Sequence, residues 1–578
     1  MTSARLGATP FCLAALVLLA SGCAKSQRVG EGVATPDRPN TECGTRADSA
    51  ALPELSPAAL ETHIRFLADD SLQGRGTGTH GYDLAARYVA ACFTDLGLVP
   101  VGAKGYMQPV PLRRARTVVG SNVVIDGPMG RRQLLPDRDY VPLPDLLRRE
   151  VEVAAPLVLV GFGVTAPDRA YDDYRTVDAR GKIVVLLTGA PPSFPPTERA
   201  HFATSRVKFE NAVRHGAVGV VTVRTRDQTF PWDRFVRQAR AGTMGWLDRR
   251  GEPGEVFPQL RGVARLSDAG GEALFEGSPQ SHADILAAAE KGMPPAFDLP
   301  VRAMIRTVTV HERLESPNVA GLLRGSDPRL RDEVVVFTAH LDHLGVGEPV
   351  NGDSIYNGAL DNASGSAALM EVARAFARLT KPPRRSVLFL AVTAEEKGLL
   401  GSDYFAGHPT VPIETIVANL NLDGLAILYP LRQLVPMGAE HSTLGATVER
   451  AANRMGIELA PDPFPEEVFF VRSDQYSFVR RGVPSLFLFM GTRSDPGIDA
   501  ATRFREWGRT RYHTPQDDLG QPMDFEAGAR HAQLTFLVGL EVANTEKKPA
   551  WKSGDFFGRT FGRRGAPELQ DSAAGTAP

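Results

Sequence analysis

RSVLFLAVTAEE, residues 385–396, decides how this chain is folded. Its apolar run is too short for a helix and does not alternate, which describes a strand buried on both faces. DEVVVFTAH (332–340), TIVANLNLDG (415–424) and VPSLFLFMG (483–491) read the same way. Between the first two strands, SGSAALMEVARAFARL (364–379) has the spacing of an amphipathic helix. Continuous strands alternating with helices predict an α/β fold, with a mixed, mostly parallel central sheet and helices on both faces. The run nevertheless ends in two adjacent glutamates, Glu395 and Glu396, at the edge of a core. Neighbouring carboxylates repel, and burial raises the cost of ionising either.

Outward from this core the chain divides into segments. MTSARLGATPFCLAALVLLASGC reads as a secretory signal over 1–22, ending in a lipobox-like LASGC that makes Cys23 a lipidation site. Residues 23–50 read as a tether. A lipidated Cys23 would leave the protein membrane-anchored, facing the periplasm or cell exterior; simple cleavage and secretion is the alternative. Residues 51–130 carry helical spacing in LETHIRFLA and YDLAARYVAACFTDLGL, separated by the Gly-rich loop DDSLQGRGTGTHG. That loop lacks a Lys-Ser/Thr ending and a preceding strand, so it reads as packing beside a site and not as a phosphate cradle. From 131 to 310, short apolar runs between Pro- and Gly-rich turns, with one clear helix (ATSRVKFENAVRHG), describe a β-rich insert. The strand–helix domain occupies 311–547, and the aperiodic 548–578 reads as a disordered tail.

Lys+Arg 65 against Asp+Glu 67 gives a net charge of -2, so no general field draws in nucleic acid. Of four cysteines, only Cys43 and Cys92 are left to pair once the signal and Cys23 are set aside. No Cys-x-x-Cys occurs, so any metal must be held by nitrogen and oxygen.

In a parallel sheet, functional groups gather where strands end at their carboxyl side. The first strand ends at His340, Asp342 and His343, and the following helix opens at Asp361-Asn362. The second strand ends at Glu395-Glu396, the third at Asn419, Asn421 and Asp423, and Tyr512-His513 precedes the last helix. One such residue is commonly structural, a hydrogen-bonded histidine or an N-cap aspartate. Several on successive ends, with few Lys or Arg beside them, need cations. Imidazole with carboxylate oxygen suits a pair of divalent ions, zinc above all, with manganese or cobalt acceptable.

TAHLDHLG, YNGALDNASGSAALMEVARAFA, RSVLFLAVTAEEKGLLGSDYF, VANLNLDG, RSDQY and YHTPQDDL together resemble the M28 family of co-catalytic zinc metallopeptidases, over about 50–130 and 310–545. The resemblance implies a zinc exopeptidase (phosphorylase/hydrolase-like) fold, and the insert looks like the protease-associated (PA) domain. It implies that His340 and Glu396 bind one zinc, Asp423 and His513 the other, and that Asp361 bridges them. Glu395 would be the general base. Asp342 would orient His340, which same-face alternation on a strand also supports; alternation turns His343 away, into a structural role. Tyr512 and Asp474 are further candidates for substrate or oxyanion contact; Asp474 is followed by Gln475 where relatives often carry His. The implied activity is that of an aminopeptidase on peptides with a free N-terminus. A related carboxypeptidase or acyl-amino-acid hydrolase, a single-zinc glutaminyl cyclase and a non-catalytic binding protein are the alternatives.

Overall fold

The computed structural model describes residues 52–225 and 231–562. The signal segment, the tether with Cys23 and Cys43, and residues 563–578 lie outside the described residues. Ser386–Val392, Val334–His340, Ile416–Asn421 and Ser485–Met490 lie side by side in that order, all parallel. Every residue of these four strands is buried, which is why the sequence shows no polar alternation. Val335, Phe337, Val387 and Phe389 face one apolar cluster, with the helices Gly365–Ala377 and Phe525–Asn544. Val334, Val336, Leu388 and Leu390 face another, with Phe405 and Phe478. Helices therefore cover both faces, as the apolar runs predict. Gly539 lets the Phe525–Asn544 helix approach closely, since a Cβ there would lie 2.1 Å from the Phe337 ring.

The flanking strands run the other way. Gln433–Met437 is antiparallel to Ser485–Met490. On the opposite side, Ala296–Leu323 is antiparallel to Ser386–Val392 and then to Met107–Thr117. This single strand of 28 residues joins two sheets. Its residues 309–323 complete the central sheet, while 296–308 pair with Glu150–Val160 in the sheet of the insert. That second sheet carries Glu150–Val160, Ile183–Leu187, Gly219–Val223 and Val263–Leu266 in parallel, and takes in Asn122–Gly127, ahead of residue 131.

Two features depart from the sequence reading. Among its described residues the insert contains five α-helices, Pro196–Ala203, Ser205–Arg214, Trp232–Ala241, Asp268–Phe275 and His282–Glu290, where one was expected. They are short, and several are Gly-bearing or highly charged, so their apolar stripes are too narrow to read. The tail is not structureless over its described residues 548–562: Trp551, Phe556 and Phe557 are buried, and a short helix spans Phe556–Phe561. Its aromatic residues pack on His201 and Phe202 of the insert and on His441 and Phe470 of the core domain. Among the described residues no helix is long and apolar enough to cross a membrane.

His441 ties these parts together. Its Nδ1 lies 2.6 Å from Asp555, and its Nε2 lies 2.9 Å from Thr197 and 3.2 Å from Glu440. Burial opposes the charge on the ring, but the hydrogen bonds to Asp555 and Glu440 outweigh it and hold His441 up at about 9. Because that is above the unfolded value, the stabilisation is full below about pH 6.5 and is lost as pH rises through about 9. We expect hydrogen exchange of residues 551–561, corrected for intrinsic rates, to accelerate between pH 7 and 9.5. His441→Gln should remove that pH dependence and cost on the order of 3 kcal/mol at neutral pH.

Candidate metal centre

The chain leaves the Val334–His340 strand at His340, and the site begins there. The His340 Nδ1 sits 3.1 Å from the backbone carbonyl of Asp342, to which it donates. Its Nε2 is then directed at Asp361 Oδ1, 3.2 Å away, and Asp423 Oδ1, 3.3 Å away. The Asp342 carboxylate was expected to orient this ring, and it does something else. It accepts from the Thr77 hydroxyl at 3.0 Å and from the Glu395 backbone N–H at 3.1 Å. Same-face alternation fails because the strand has ended. Asp342 instead clamps the Gly-rich loop to the glutamate turn, and it is the backbone at 342 that fixes His340. For the same reason His343 is not turned away: its Nδ1 lies 2.8 Å from Glu396 Oε1, fully buried.

Asp361 lies between two histidines, its Oδ2 being 3.0 Å from His513 Nε2. His513 Nε2 is also 3.1 Å from Glu396 Oε2. The side chains therefore group as His340 with Asp423 and His513 with Glu396, across Asp361, and not as His340 with Glu396 and Asp423 with His513. Strand order alone does not set the grouping, since Val334–His340 lies between Ser386–Val392 and Ile416–Asn421; the turns after the strand ends, and the loop that brings in His513, do. His513 and Ala394, the residue before Glu395, hold left-handed backbone, with φ of 56° and 55°. Such angles in non-glycine residues cluster where surrounding structure dictates geometry.

The backbone around Asp361 is anchored by a residue not singled out from the sequence. Asp517, fully buried, accepts from Leu360 N–H at 2.9 Å and Asp361 N–H at 3.0 Å. It lies within YHTPQDDL, so its motif was visible although its role was not. Asn362 donates to Leu422 O and accepts from Gly365 and Gly424 N–H, joining the helix start to the Asp423 turn. Arg75, from the Gly-rich loop, donates to the carbonyls of Leu341, Asn357 and Gly358, and burial lowers its guanidinium to about 10. Ser473 donates to Asp423 Oδ2, fixing that carboxylate. Asn421 donates to Ser473 and to Gln475 Oε1, so Gln475 is a scaffold residue here.

Electrostatics separate the adjacent glutamates. Burial pushes the Glu395 carboxyl well above the usual range, with Glu396 and Asp423 adding to it against the opposing effect of His340. Burial acts on Glu396 too, but His513 and His343 hold its carboxyl well below that range. Asp474 is fully buried, and burial pushes it up to about 7. Among the described residues it makes no ion pair with any of the three cluster histidines.

These donors fit a divalent metal centre. His340, Asp361 and Asp423 form one group, and His343, Asp361 and Glu396 another, with ligand atoms within 4.8 Å of one another in each. Donors around a tetrahedral zinc are about 3.4 Å apart by bond length, close to the distances seen here. Glu396 Oε1 and His343 Nδ1 face each other without hydrogen-bond geometry, and His513 Nδ1 has no hydrogen-bond partner among the described residues.

A cavity of about 560 Å³ opens on this cluster, lined by His340, Asp361, Glu395 and Asp423, and walled by Phe464, Phe469, Phe487, Phe489, Phe504 and Trp507. Tyr512 lies on its wall, half-buried. Arg472 donates to the Tyr512 hydroxyl at 3.1 Å, and the Arg234 guanidinium lies 5.0 Å from its ring centroid. A second cavity, of about 650 Å³, runs between the core domain and the insert and shares Glu395, Arg472 and Tyr512 with the first.

Asp517→Ala leaves two buried N–H groups next to the central carboxylate without an acceptor. A loss of about 3 kcal/mol in urea unfolding is expected, with a fall in bound metal measured by mass spectrometry. Unchanged stability and metal content would remove Asp517 from this role.

Residues 318–537 match the profile of Peptidase family M28. A probable zinc metalloprotease of Pyricularia oryzae is 30% identical over 266 residues, 39% of this chain and 50% of its own length. Aminopeptidase NAALADL1 of Mus musculus is 35% identical over 141 residues, 23% of this chain and 17% of its own length. The chain thus spans half or less of these curated relatives. In fold it is similar to an aminopeptidase from Aneurinibacillus sp. strain AM-1, with a TM-score of 0.52 and 19% identity, over 86% of this chain and 96% of that one. The residues that match the profile of Peptidase family M28 include the four parallel strands and every residue of the cluster.

Proposed function

We propose that this chain is a zinc aminopeptidase that removes N-terminal residues from peptides, with Glu395 as general base. The observation that carries this reading is the pairing of His340 with Asp423 and of His513 with Glu396 on either side of a shared Asp361, beside a cavity that Glu395 lines. Residues that would hold metal are His340 and Asp423 on one side and Glu396 and His513 on the other, with His343 within reach of Glu396 and Asp361 common to both. When bound, a pair of zinc ions supplies Lewis acidity toward the scissile carbonyl and a water acidified toward neutrality.

Glu395 makes no ion pair with the histidines and lines both cavities, so its carboxylate accepts a proton from the attacking water. The same carboxyl then returns a proton to the leaving amine, and no covalent acyl-enzyme is needed. Tyr512, whose hydroxyl accepts from Arg472, would donate that hydroxyl to the tetrahedral oxyanion. The aromatic wall receives the side chain of the N-terminal residue, and Glu466 on the same wall offers charge to its ammonium group. A relative named aminopeptidase and another named zinc metalloprotease support both the bond class and the metal. The β-rich insert is assigned as PA-like, and lipidation at Cys23 would hold the enzyme on the outer side of a membrane.

Glu395→Gln should lower hydrolysis of leucyl p-nitroanilide by about 10²–10⁴-fold while bound zinc is retained. Persistent activity would sink the general-base role. Chelation should abolish wild-type activity and zinc, manganese or cobalt should restore it, while N-acetyl-leucyl p-nitroanilide stays uncleaved; cleavage of the blocked substrate would instead indicate an acyl-amino-acid hydrolase.

A further inference from the structure

We propose that Arg234, carried by the insert, forms with Arg472 a receptor for a carboxylate on the leaving part of the substrate. Peptides bearing a free carboxylate within one residue of the scissile bond are then preferred. This inference rests on the aminopeptidase reading above.

Arg234 sits in the helix Trp232–Ala241, in a different sheet assembly from the metal-ligand candidates. Of the described residues lining the 560 Å³ cavity, only Pro231 and Arg234 come from the insert. The remainder belong to the core domain. The insert thus reaches across to the cluster with a guanidinium. Arg472 approaches the same phenol from its hydroxyl end while Arg234 lies over its ring, so two guanidiniums flank Tyr512.

Position gives the part of the substrate involved. The aromatic wall takes up the N-terminal side chain, and Tyr512 lies where the two cavities meet. A peptide cut beside Glu395 must send its leaving residue past that shared wall.

Charge gives the chemistry. Apart from Asp361, Glu395 and Asp423, the charged residues lining the cavity are Arg234, Arg472, Arg505 and Arg509 against Glu466 and Glu467. With Glu395, which holds no metal in this reading, counted beside Glu466 and Glu467, four cations face three anions among the described lining residues, an excess of one positive charge beside ligand carboxylates matched by the metals they would hold. Glu467 already accepts from Arg472 at 3.4 Å. A field of this sign selects an anion. A planar guanidinium fork matches a carboxylate better than it matches a neutral amide, whose N–H groups it cannot accept. A purely structural arginine over a tyrosine ring explains the stacking but not the cationic excess around the cavity.

The carboxylate has two possible sources, the C-terminus of a dipeptide or an acidic side chain after the scissile bond. Binding to the zinc-loaded full chain carrying Glu395→Gln separates them without turnover, by titration calorimetry. Leucylalanine is compared with leucylalanine amide, and leucylaspartate amide with leucylasparagine amide. The acid of at least one pair should bind about tenfold or more tightly than its neutral partner. A preference in the first pair identifies a C-terminal carboxylate, and a preference in the second identifies a side-chain carboxylate. Adding Arg234→Gln should bring each pair to within about twofold, while Arg234→Lys, which keeps the charge but not the fork, should retain part of the preference. No difference in either pair, or a preference that survives Arg234→Gln, overturns the proposal. Failure of the aminopeptidase reading is seen separately, as a zinc-loaded wild-type chain that leaves leucyl p-nitroanilide intact.

Discussion

One carboxylate placed between two imidazoles organises this molecule. Asp361 lies 3.2 Å from His340 and 3.0 Å from His513. Burial and Glu396 oppose its ionisation, yet hydrogen bonds from both histidines hold its carboxyl well below the ordinary range. An ionised group in such a place exists only if its surroundings are fixed, because an uncompensated buried charge is among the costliest arrangements in a protein. Asp517 holds the Leu360–Asp361 backbone, Asn362 ties it to the Asp423 turn, and Arg75 fastens the neighbouring carbonyls. The four-stranded parallel core gives all of these a rigid origin. It delivers His340, Glu395-Glu396 and Asp423 at the same edge, from three strands that lie side by side.

The insert is more than an appendage to this core. The 28-residue strand Ala296–Leu323 is shared by both sheets, so its second half cannot shift without disturbing the central sheet. Trp246 of the insert donates to Asp403 at 2.8 Å, His201 lies against the Tyr476 hydroxyl, and the C-terminal helix packs on both parts. Those contacts hold the helix Trp232–Ala241 over the cavity. They give the insert a physical means of acting on substrates through Arg234 and the second cavity.

The core strands were readable because doubly buried strands have a compositional signature that needs no tertiary context. Candidate ligands were readable because they fall at the ends of those strands, where polar residues interrupt apolar runs. Which ligand stands beside which was not readable from spacing, since His513 comes from a loop whose path depends on the whole fold. Asp342 shows a second limit: alternation predicts the direction of a side chain only while the strand continues, and it ends at His340. The short insert helices and the docking of the tail depend on partners far away in sequence, as with His441 and Asp555. Arg234 carries no local signal at all, because an arginine in WDRFVRQARA reads as one more charge on a solvated helix.

The most direct test of a shared Asp361 is a count of zinc by inductively coupled plasma mass spectrometry, in the purified full chain and in Asp361→Ala. Two ions per chain, both lost in the variant, is the expected result. One ion in the wild type, or two retained by Asp361→Ala, would contradict it.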